Sequence, residues 1–162
     1  MLYQTSADAS YMDYYERALY NHILSSQNPV QGGLVYFTPM RSGHYRVYSQ
    51  PQNCFWCCVG SGMENHAKYG EMIYASRDNE LIVNLFIPSV LEWEEYGMTF
   101  TQETSFPESE STKVKINARK TRKMKISFRK PEWVDSGKVV FKVNGEETEP
   151  SSDNGYFTIE RK

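Results

Sequence analysis

Apolar side chains near the start of the chain recur at the spacing of one helix face. The series is Met12, Tyr15, Leu19, His22 and Ile23. Steps of three and four residues of this kind predict a helix over residues 8–26. Asp8 or Ser6 can cap its start, and Asn28-Pro29 ends it because the residue before a proline avoids the helical region.

A second series of the same kind follows in the middle of the chain. Its members are Met63, His66, Gly70, Ile73 and Tyr74, which predict a helix over residues 61–74. Gly60 and Gly62 at its entrance leave room for a close approach to the backbone. Between the two predicted helices, Leu34–Thr38 and Tyr45–Tyr48 have the composition of short extended segments.

After Asn79 the apolar pattern changes to the two-residue period of strands. The predicted strands are Leu81–Ile87, Met98–Thr104, Lys113–Ala118, Met124–Arg129, Val139–Asn144 and Tyr156–Ile159. Short strands at this spacing favour an antiparallel β-sandwich. We expect the alternation to place Lys113, Lys115, Lys123 and Lys125 in solvent and Val114, Ile116, Met124 and Ile126 inside.

The change of period divides the chain into a helical part, 1–77, and a strand-rich part, 78–162, so the predicted fold class is α+β. Two helices are too few to enclose a core, and the last predicted strand has no closing element after it. The chain is therefore predicted to be a piece of a larger protein. The uncovered inner faces of the helices over 9–26 and 61–74 should then make the isolated chain self-associate.

Composition and charge argue against some classes of binding partner but do not identify one. The chain has 162 residues, 40% of them hydrophobic, and a formal net charge of −2. A charge so near zero argues against nucleic acid as a partner. No apolar stretch approaches the roughly 18–20 residues of a membrane span, so no membrane association is predicted. The first twenty residues lack the basic start and apolar core of a signal peptide, and the compartment stays open.

The densest chemical signal is the segment NCFWCCVGSGMENH over residues 53–66. Cys57 and Cys58 stand just before the second predicted helix, where backbone N–H groups and the helix dipole favour a thiolate. A thiolate suits a nucleophile or a metal ligand. The competing interpretation is that these are small, buried, apolar cysteines, as many free cysteines are.

A structural zinc site is a further alternative. Two adjacent cysteines need additional ligands, because zinc prefers four, and Cys54 and His66 are the obvious donors within the chain. The resulting C-x-x-C-C-x7-H spacing matches no zinc-finger pattern. His66 also falls on the apolar side of its helix, where a core histidine is the commoner role.

Several segments together resemble a known group of enzymes. YMDYYERALYNHILSSQ, GGLVYFTPM, HYRVYS and above all FWCCVGSGMENHAKYGEMIY resemble the β-L-arabinofuranosidases of glycoside hydrolase families 127 and 146. NELIVNLFIPSVLEW and MTFTQETSFP extend the resemblance into the β-sandwich that follows the barrel in that group. The resemblance implies that residues 1–77 are the last helices of an incomplete (α/α)6 catalytic barrel and that 78–162 are a truncated sandwich.

The resemblance also implies a mechanism. Such enzymes are retaining exo-glycosidases with a cysteine nucleophile held on zinc by a Glu-x-Cys pair and two adjacent cysteines. The adjacent pair matches Cys57 and Cys58, and Cys57 takes the position of the nucleophile. The chain contains no Glu-x-Cys, since Gln52, Phe55 and Trp56 stand two residues before its three cysteines.

The resulting hypothesis is a fragment of an arabinofuranosidase-like hydrolase whose parent acts on arabinose-containing plant glycans. The acid/base carboxylate and the other zinc ligands are expected upstream, so the chain alone should be inactive. The alternative from another class is a non-catalytic module that packs against a helical neighbour or binds glycan. Turnover of an aryl arabinofuranoside separates the two.

Overall fold

The computed structural model describes residues 2–50 and 52–162, and its contacts form two compact units. One unit is Asp13–Glu71, which holds most of the helical structure. The other joins the chain up to Met12 with Met72–Lys162, which holds all the strands. The fold is therefore α+β, as the change of period predicted.

Three α-helices are present in the described residues: α1 (Leu2–Ser6), α2 (Ala9–Ala18) and α3 (Cys57–Lys68). Asp8 caps α2, since the Ser10 backbone N–H donates to its Oδ1 atom at 2.9 Å. The predicted helix over 8–26 continues after α2 as a π-helical turn, Leu19–Ile23, and a 3₁₀ turn, Leu24–Ser26. The sequence pattern did not predict α1.

The segment between the helices is less regular than predicted. The proposed extended runs form only two isolated bridges in the described residues, Gln27 with Leu34 and Val35 with Tyr48. Gly33 is buried there, and a Cβ atom on it would lie 2.3 Å from the backbone oxygen of Ser49. The close approach thus occurs at Gly33, whereas open space surrounds Gly62.

Helix α3 begins at Cys57, four residues before the predicted start, and a 3₁₀ turn at Tyr69–Met72 follows it. The two glycines weaken helix propensity at its entrance. Packing overrides that preference, because Val59 in the first turn is only 1% exposed. Tyr74, predicted to end the helix, instead begins the first strand.

Within the part of the chain that the structure describes, ten strands form three sheets. They are β1 (Tyr74–Arg77), β2 (Glu80–Val83), β3 (Ser89–Trp93), β4 (Met98–Thr104), β5 (Thr112–Ala118), β6 (Met124–Arg129), β7 (Lys142–Val143), β8 (Glu146–Glu147), β9 (Ser151–Asp153) and β10 (Tyr156–Arg161). The strand orders are β1-β2-β6-β10-β9, β3-β4-β5 and β7-β8. Pairing is antiparallel except for β2 with β6, which is parallel. Leu81, Val83, Phe100 and Met124 form the core cluster.

The predicted strand Leu81–Ile87 is cut short because buried side chains take over its backbone acceptors. Nε of Arg129 donates to the Asn84 carbonyl at 2.7 Å. Nε2 of Gln102 donates to the carbonyls of Leu85 and Ile87 at 3.0 and 2.7 Å. These bonds satisfy groups that would otherwise need a neighbouring strand.

The predicted lysine alternation is confirmed on the solvent side. All four lysines are exposed, and Met124 is buried while Val114 and Ile126 are half-buried. Ile116 is the exception at 41% exposed, and it lies on β5, an edge strand of its sheet. Glutamates on neighbouring strands offset the lysine charge, as in the ion pairs Lys115–Glu103 and Lys123–Glu160.

Helix α1 is tied to the strands by a buried polar group. The hydroxyls of Tyr3 and Tyr156 each donate to Oδ1 of Asn84 at 2.9 Å. The turn before β10 also lies against α2, since a Cβ on Gly155 would meet the Ala9 Cβ at 2.5 Å. No helix in the described part of the chain is long and apolar enough to cross a membrane.

Candidate functional site

Cys57 and Cys58 are the first two residues of α3, and both thiols are exposed. Their sulfur atoms lie 3.7 Å apart. The interpretation of this pair as buried apolar cysteines is therefore wrong. Trp56 occupies the N-cap position and offers no side-chain cap. The Val59 and Gly60 N–H groups donate to the Trp56 carbonyl at 3.0 and 3.3 Å, so only the first two N–H groups of the helix are left to act on their surroundings.

Tyr36 reaches the site from the irregular segment. Its hydroxyl lies 3.9 Å from Sγ of Cys57. Its ring makes T-shaped contacts with Phe37 and Trp56, at centroid distances of 4.5 and 5.4 Å. The thiol pair is thus flanked by an aromatic group, of which Phe37 is 77% and Trp56 54% exposed. This contact was not predicted, because nothing in the spacing relates residue 36 to residue 57.

Hydrogen bonds at this site shift the pKa values of Cys57 and Tyr36 in opposite directions. The Cys58 side chain, and then the Tyr36 hydroxyl, lower the pKa of the Cys57 thiol below its usual value. Hydrogen bonds to Cys58 and Cys57 raise the pKa of Tyr36 to about 12. Tyr36 therefore keeps its proton and donates it toward sulfur. The arrangement favours an exposed thiolate, which can attack an electrophile or bind a soft metal.

The spacing of the two sulfurs fits shared metal ligation. Two thiolates on one tetrahedral zinc ion, each about 2.3 Å from the metal, lie about 3.8 Å apart. The observed 3.7 Å matches that separation. In the described residues, however, no three His, Cys, Asp or Glu side chains come together as a metal site. Cys57 and Cys58 thus fit half of a zinc site.

The alternative zinc site with Cys54 and His66 is not assembled in the described chain. Cys54 is half-buried and lies outside α3. The Nδ1 atom of His66 hydrogen-bonds the Gly62 carbonyl oxygen, one turn earlier in the same helix, at 2.8 Å. His66 is half-buried, which is closer to the predicted core role than to a ligand.

Comparison with known families places both halves of the chain in one group. Residues 1–71 match the β-L-arabinofuranosidase GH127 catalytic domain, and residues 80–162 match the GH127 β-L-arabinofuranosidase middle domain. No curated protein sequence matches the chain. The helical part with the thiol pair is thus similar to the end of a catalytic domain, and the strands are similar to the domain that follows.

Solved structures share the fold. A GH127 β-L-arabinofuranosidase from Geobacillus stearothermophilus T6 superposes with a TM-score of 0.82 at 22% identity, covering 99% of this chain and 27% of its own. A GH127 β-arabinofuranosidase superposes at 0.79 and 24% identity, covering 99% of this chain and 28% of its own. The chain therefore spans little more than a quarter of these relatives.

The family match over residues 80–162 covers half of the chain, and the match over residues 1–71 precedes it in the same order as the domains of the family. Both extend over the segments that carry the resemblance seen in the sequence. The chain belongs to the GH127 β-L-arabinofuranosidase family of glycoside hydrolases, as a fragment with the end of the catalytic domain and the middle domain.

Proposed function

We propose that this chain supplies the nucleophile of a retaining β-L-arabinofuranosidase-like glycoside hydrolase and is inactive without the rest of its parent protein. The observation that carries the proposal is the exposed thiol pair at the start of α3, with the pKa of Cys57 lowered. The division of catalytic and sandwich domains at residues 77 and 78 is part of the same proposal.

In the proposed reaction the Cys57 thiolate attacks the anomeric carbon of a terminal arabinofuranosyl unit. The bond from that carbon to the leaving oxygen breaks, and a carboxylic acid outside this chain protonates the oxygen. Water, deprotonated by the same carboxylate, then displaces the sulfur and releases the sugar. Two inversions at one carbon retain its configuration.

The neighbours of Cys57 have supporting roles. The Tyr36 hydroxyl, 3.9 Å from the sulfur, helps to orient the thiolate by donating a hydrogen bond. Cys57 and Cys58 together would hold zinc, with the remaining ligands supplied outside the chain. Bound zinc would keep the sulfur deprotonated near neutral pH. The substrate would be an arabinose-containing plant glycan.

The test measures hydrolysis of p-nitrophenyl β-L-arabinofuranoside by the chain alone and by the longer protein that contains it. We expect no turnover by the chain alone, since general acid–base catalysis typically contributes about 10²–10⁴-fold and its carboxylate is absent. In the longer protein, Cys57→Ser should lower kcat/KM by at least about 10³-fold.

Cys54→Ser is the matched control, because it removes a thiol three residues away and should leave kcat/KM within about twofold. Turnover by the chain alone that vanishes in Cys57→Ser would refute the claim of incompleteness. A longer protein that binds arabinosyl glycan without hydrolysing it would favour the non-catalytic module instead.

A further inference from the structure

Two turns of the strand-rich unit have the same two-residue sequence, Asn-Gly. Asn144-Gly145 joins β7 to β8, and Asn154-Gly155 joins β9 to β10, each as a two-residue connection between paired strands. All four residues have a positive φ, between 47° and 91°. Positive φ at both central residues is the requirement of a type I′ hairpin turn, which Asn and Gly meet at little cost.

The Asn-Gly sequence is also chemically reactive. The backbone nitrogen of the glycine can attack the side-chain Cγ of the asparagine, which closes a five-membered succinimide ring. The side-chain nitrogen takes up the glycine N–H proton and leaves as ammonia. Water then adds to one of the two ring carbonyls and opens the ring, so that aspartate or isoaspartate remains. Glycine permits the attack because it has no Cβ to block the approach to its nitrogen.

The closed turn itself prevents this reaction. Ring closure needs the asparagine Cγ against the next backbone nitrogen, whereas the backbone dihedral angles of a type I′ turn hold the two atoms apart. The turn must therefore open before the nitrogen can attack. The rate at each asparagine then follows the population of its open turn, which is set by the free energy of local opening.

Few contacts hold the Asn144-Gly145 turn closed. Both residues are exposed, and a Cβ atom on Gly145 would meet nothing within 4 Å beyond its chain neighbours. Within the described chain, the Asn144 side chain makes no hydrogen bond or ion pair. β7 and β8 contribute only two residues each to a sheet of their own. The Thr148 N–H donates to the Phe141 carbonyl at 2.9 Å, so the hairpin is held at its base and not at its tip.

Three contacts hold the Asn154-Gly155 turn closed. Nδ2 of Asn154 donates to the Ala7 carbonyl at 3.3 Å. The Lys130 N–H donates to the Gly155 carbonyl at 2.8 Å. Gly155 is half-buried against α2, where a Cβ atom on it would lie 2.5 Å from the Ala9 Cβ. Opening this turn disrupts all three contacts, and none of them has a counterpart at the other Asn-Gly turn.

We propose that Asn144 is a site of spontaneous deamidation and that Asn154, although it also precedes a glycine, is protected by the packing of its turn. The product at residue 144 carries a new negative charge beside Glu146 and Glu147. Isoaspartate also adds one carbon to the backbone of the two-residue turn, which breaks the pairing of β7 with β8. The protein therefore ages into acidic forms that are altered in one hairpin and keep the sheet that contains β10.

The test follows the purified chain in mildly alkaline buffer by peptide mapping and mass spectrometry. Trypsin releases both asparagines in one peptide, residues 143–161, and its fragment ions show which of them has become an acid. We expect Asn144 to be converted at least about tenfold faster than Asn154, because its turn opens more readily. In urea-unfolded chain the two asparagines should react at similar rates, since the contacts that distinguish them are lost.

Two variants provide the matched controls. Asn144→Gly keeps a residue that tolerates positive φ and should abolish the main acidic form seen by ion exchange. Ala9→Gly removes the methyl group that packs on Gly155, so it should raise the rate at Asn154 about 2- to 5-fold and leave the rate at Asn144 unchanged. Equal rates at the two asparagines in the folded chain, or faster conversion of Asn154, would overturn the proposal. So would a folded chain that keeps Asn144 intact for as long as the unfolded chain takes to lose it.

Discussion

The helical unit, Asp13–Glu71, and the strand-rich unit distribute their apolar side chains in opposite ways. Of the sixteen buried hydrophobic residues in the described chain, three (Leu19, Leu34 and Val59) belong to the helical unit. Of its sixteen exposed large hydrophobic residues, ten belong there. The shorter unit therefore has the poorer core and the more apolar surface.

This difference indicates which of the two units lacks neighbours that would cover its apolar side chains. The strand-rich unit closes a core around Leu81, Val83 and Phe100 with its own strands. The helical unit leaves Val30, Phe37 and Met40 almost wholly in solvent, which soluble proteins avoid over large areas. Further helices of an (α/α)6 barrel would cover such a surface, and the chain spans only 27–28% of its structural relatives.

The largest expected effect contrasts one phenylalanine from each unit. Phe100→Ala removes a ring that is 2% exposed and should lower the free energy of unfolding by about 3–5 kcal/mol. Phe37→Ala removes a ring that is 77% exposed and should change it by less than about 0.5 kcal/mol. Urea unfolding of the chain measures both. Equal losses would show that the helical unit is packed as well as the strands are.

The sequence pattern also predicted some parts of the fold much better than others. Strands Met98–Thr104 and Met124–Arg129 were predicted to the residue, because alternation over a one-sided core leaves little freedom of register. β3 was missed because buried side chains of Arg129 and Gln102 interrupt one apolar run and let another strand begin. Those bonds join residues far apart in sequence, which spacing does not reveal.

The candidate functional site was likewise predicted only in part. The resemblance pointed to Cys57 and Cys58, whose role stays a prediction. We predicted that both residues precede α3, because Gly60 and Gly62 lower helix propensity at this point. They instead lie in its first turn, which the packing of Val59 stabilises. Tyr36 was missed because its contact with Cys57 crosses 21 residues of irregular chain.

A second test asks whether the helical unit has defined packing at one place despite its exposed surface. Gly33→Ala should cost about 1–3 kcal/mol, because the new Cβ meets the Ser49 backbone oxygen, which can move only with its chain. Gly62→Ala, in open space within α3, should instead stabilise by about 0.5–1 kcal/mol. Urea unfolding distinguishes them, and a neutral Gly33→Ala would mean that this segment is not fixed.

A third test concerns self-association, which the sequence predicted for the helix faces. The structure puts the most exposed apolar side chains, Val30 and Met40, in the irregular segment instead. Phe37→Ser combined with Met40→Ser should weaken association by about tenfold or more in sedimentation experiments. Val90→Ser, at a 61% exposed position in the strand-rich unit, is the control and should not change it. Association that persists in the double variant would show that the chain self-associates through a different surface.

The smallest expected effect is on the thiol itself and compares Cys57 with Cys54, which is half-buried outside the helix. In metal-free chain, mass-mapped alkylation at neutral pH should label Cys57 first, because its pKa is lowered and the thiolate is the reactive form. Tyr36→Phe removes one hydrogen bond to that thiolate while keeping the ring. The pKa of Cys57 should therefore rise, and the pH at which its labelling is half-maximal should rise with it.

At neutral pH that shift should slow labelling of Cys57 by about two- to fivefold, the size expected for one weak bond to sulfur. Phe37→Leu is the matched control, since it alters the same aromatic group without touching the hydroxyl. The control should leave the labelling profile in place. Cys54 labelled ahead of Cys57 would contradict the assignment of Cys57 as the most reactive thiol. An unchanged profile in Tyr36→Phe would remove Tyr36 from the site and leave the aromatic group with a packing role alone.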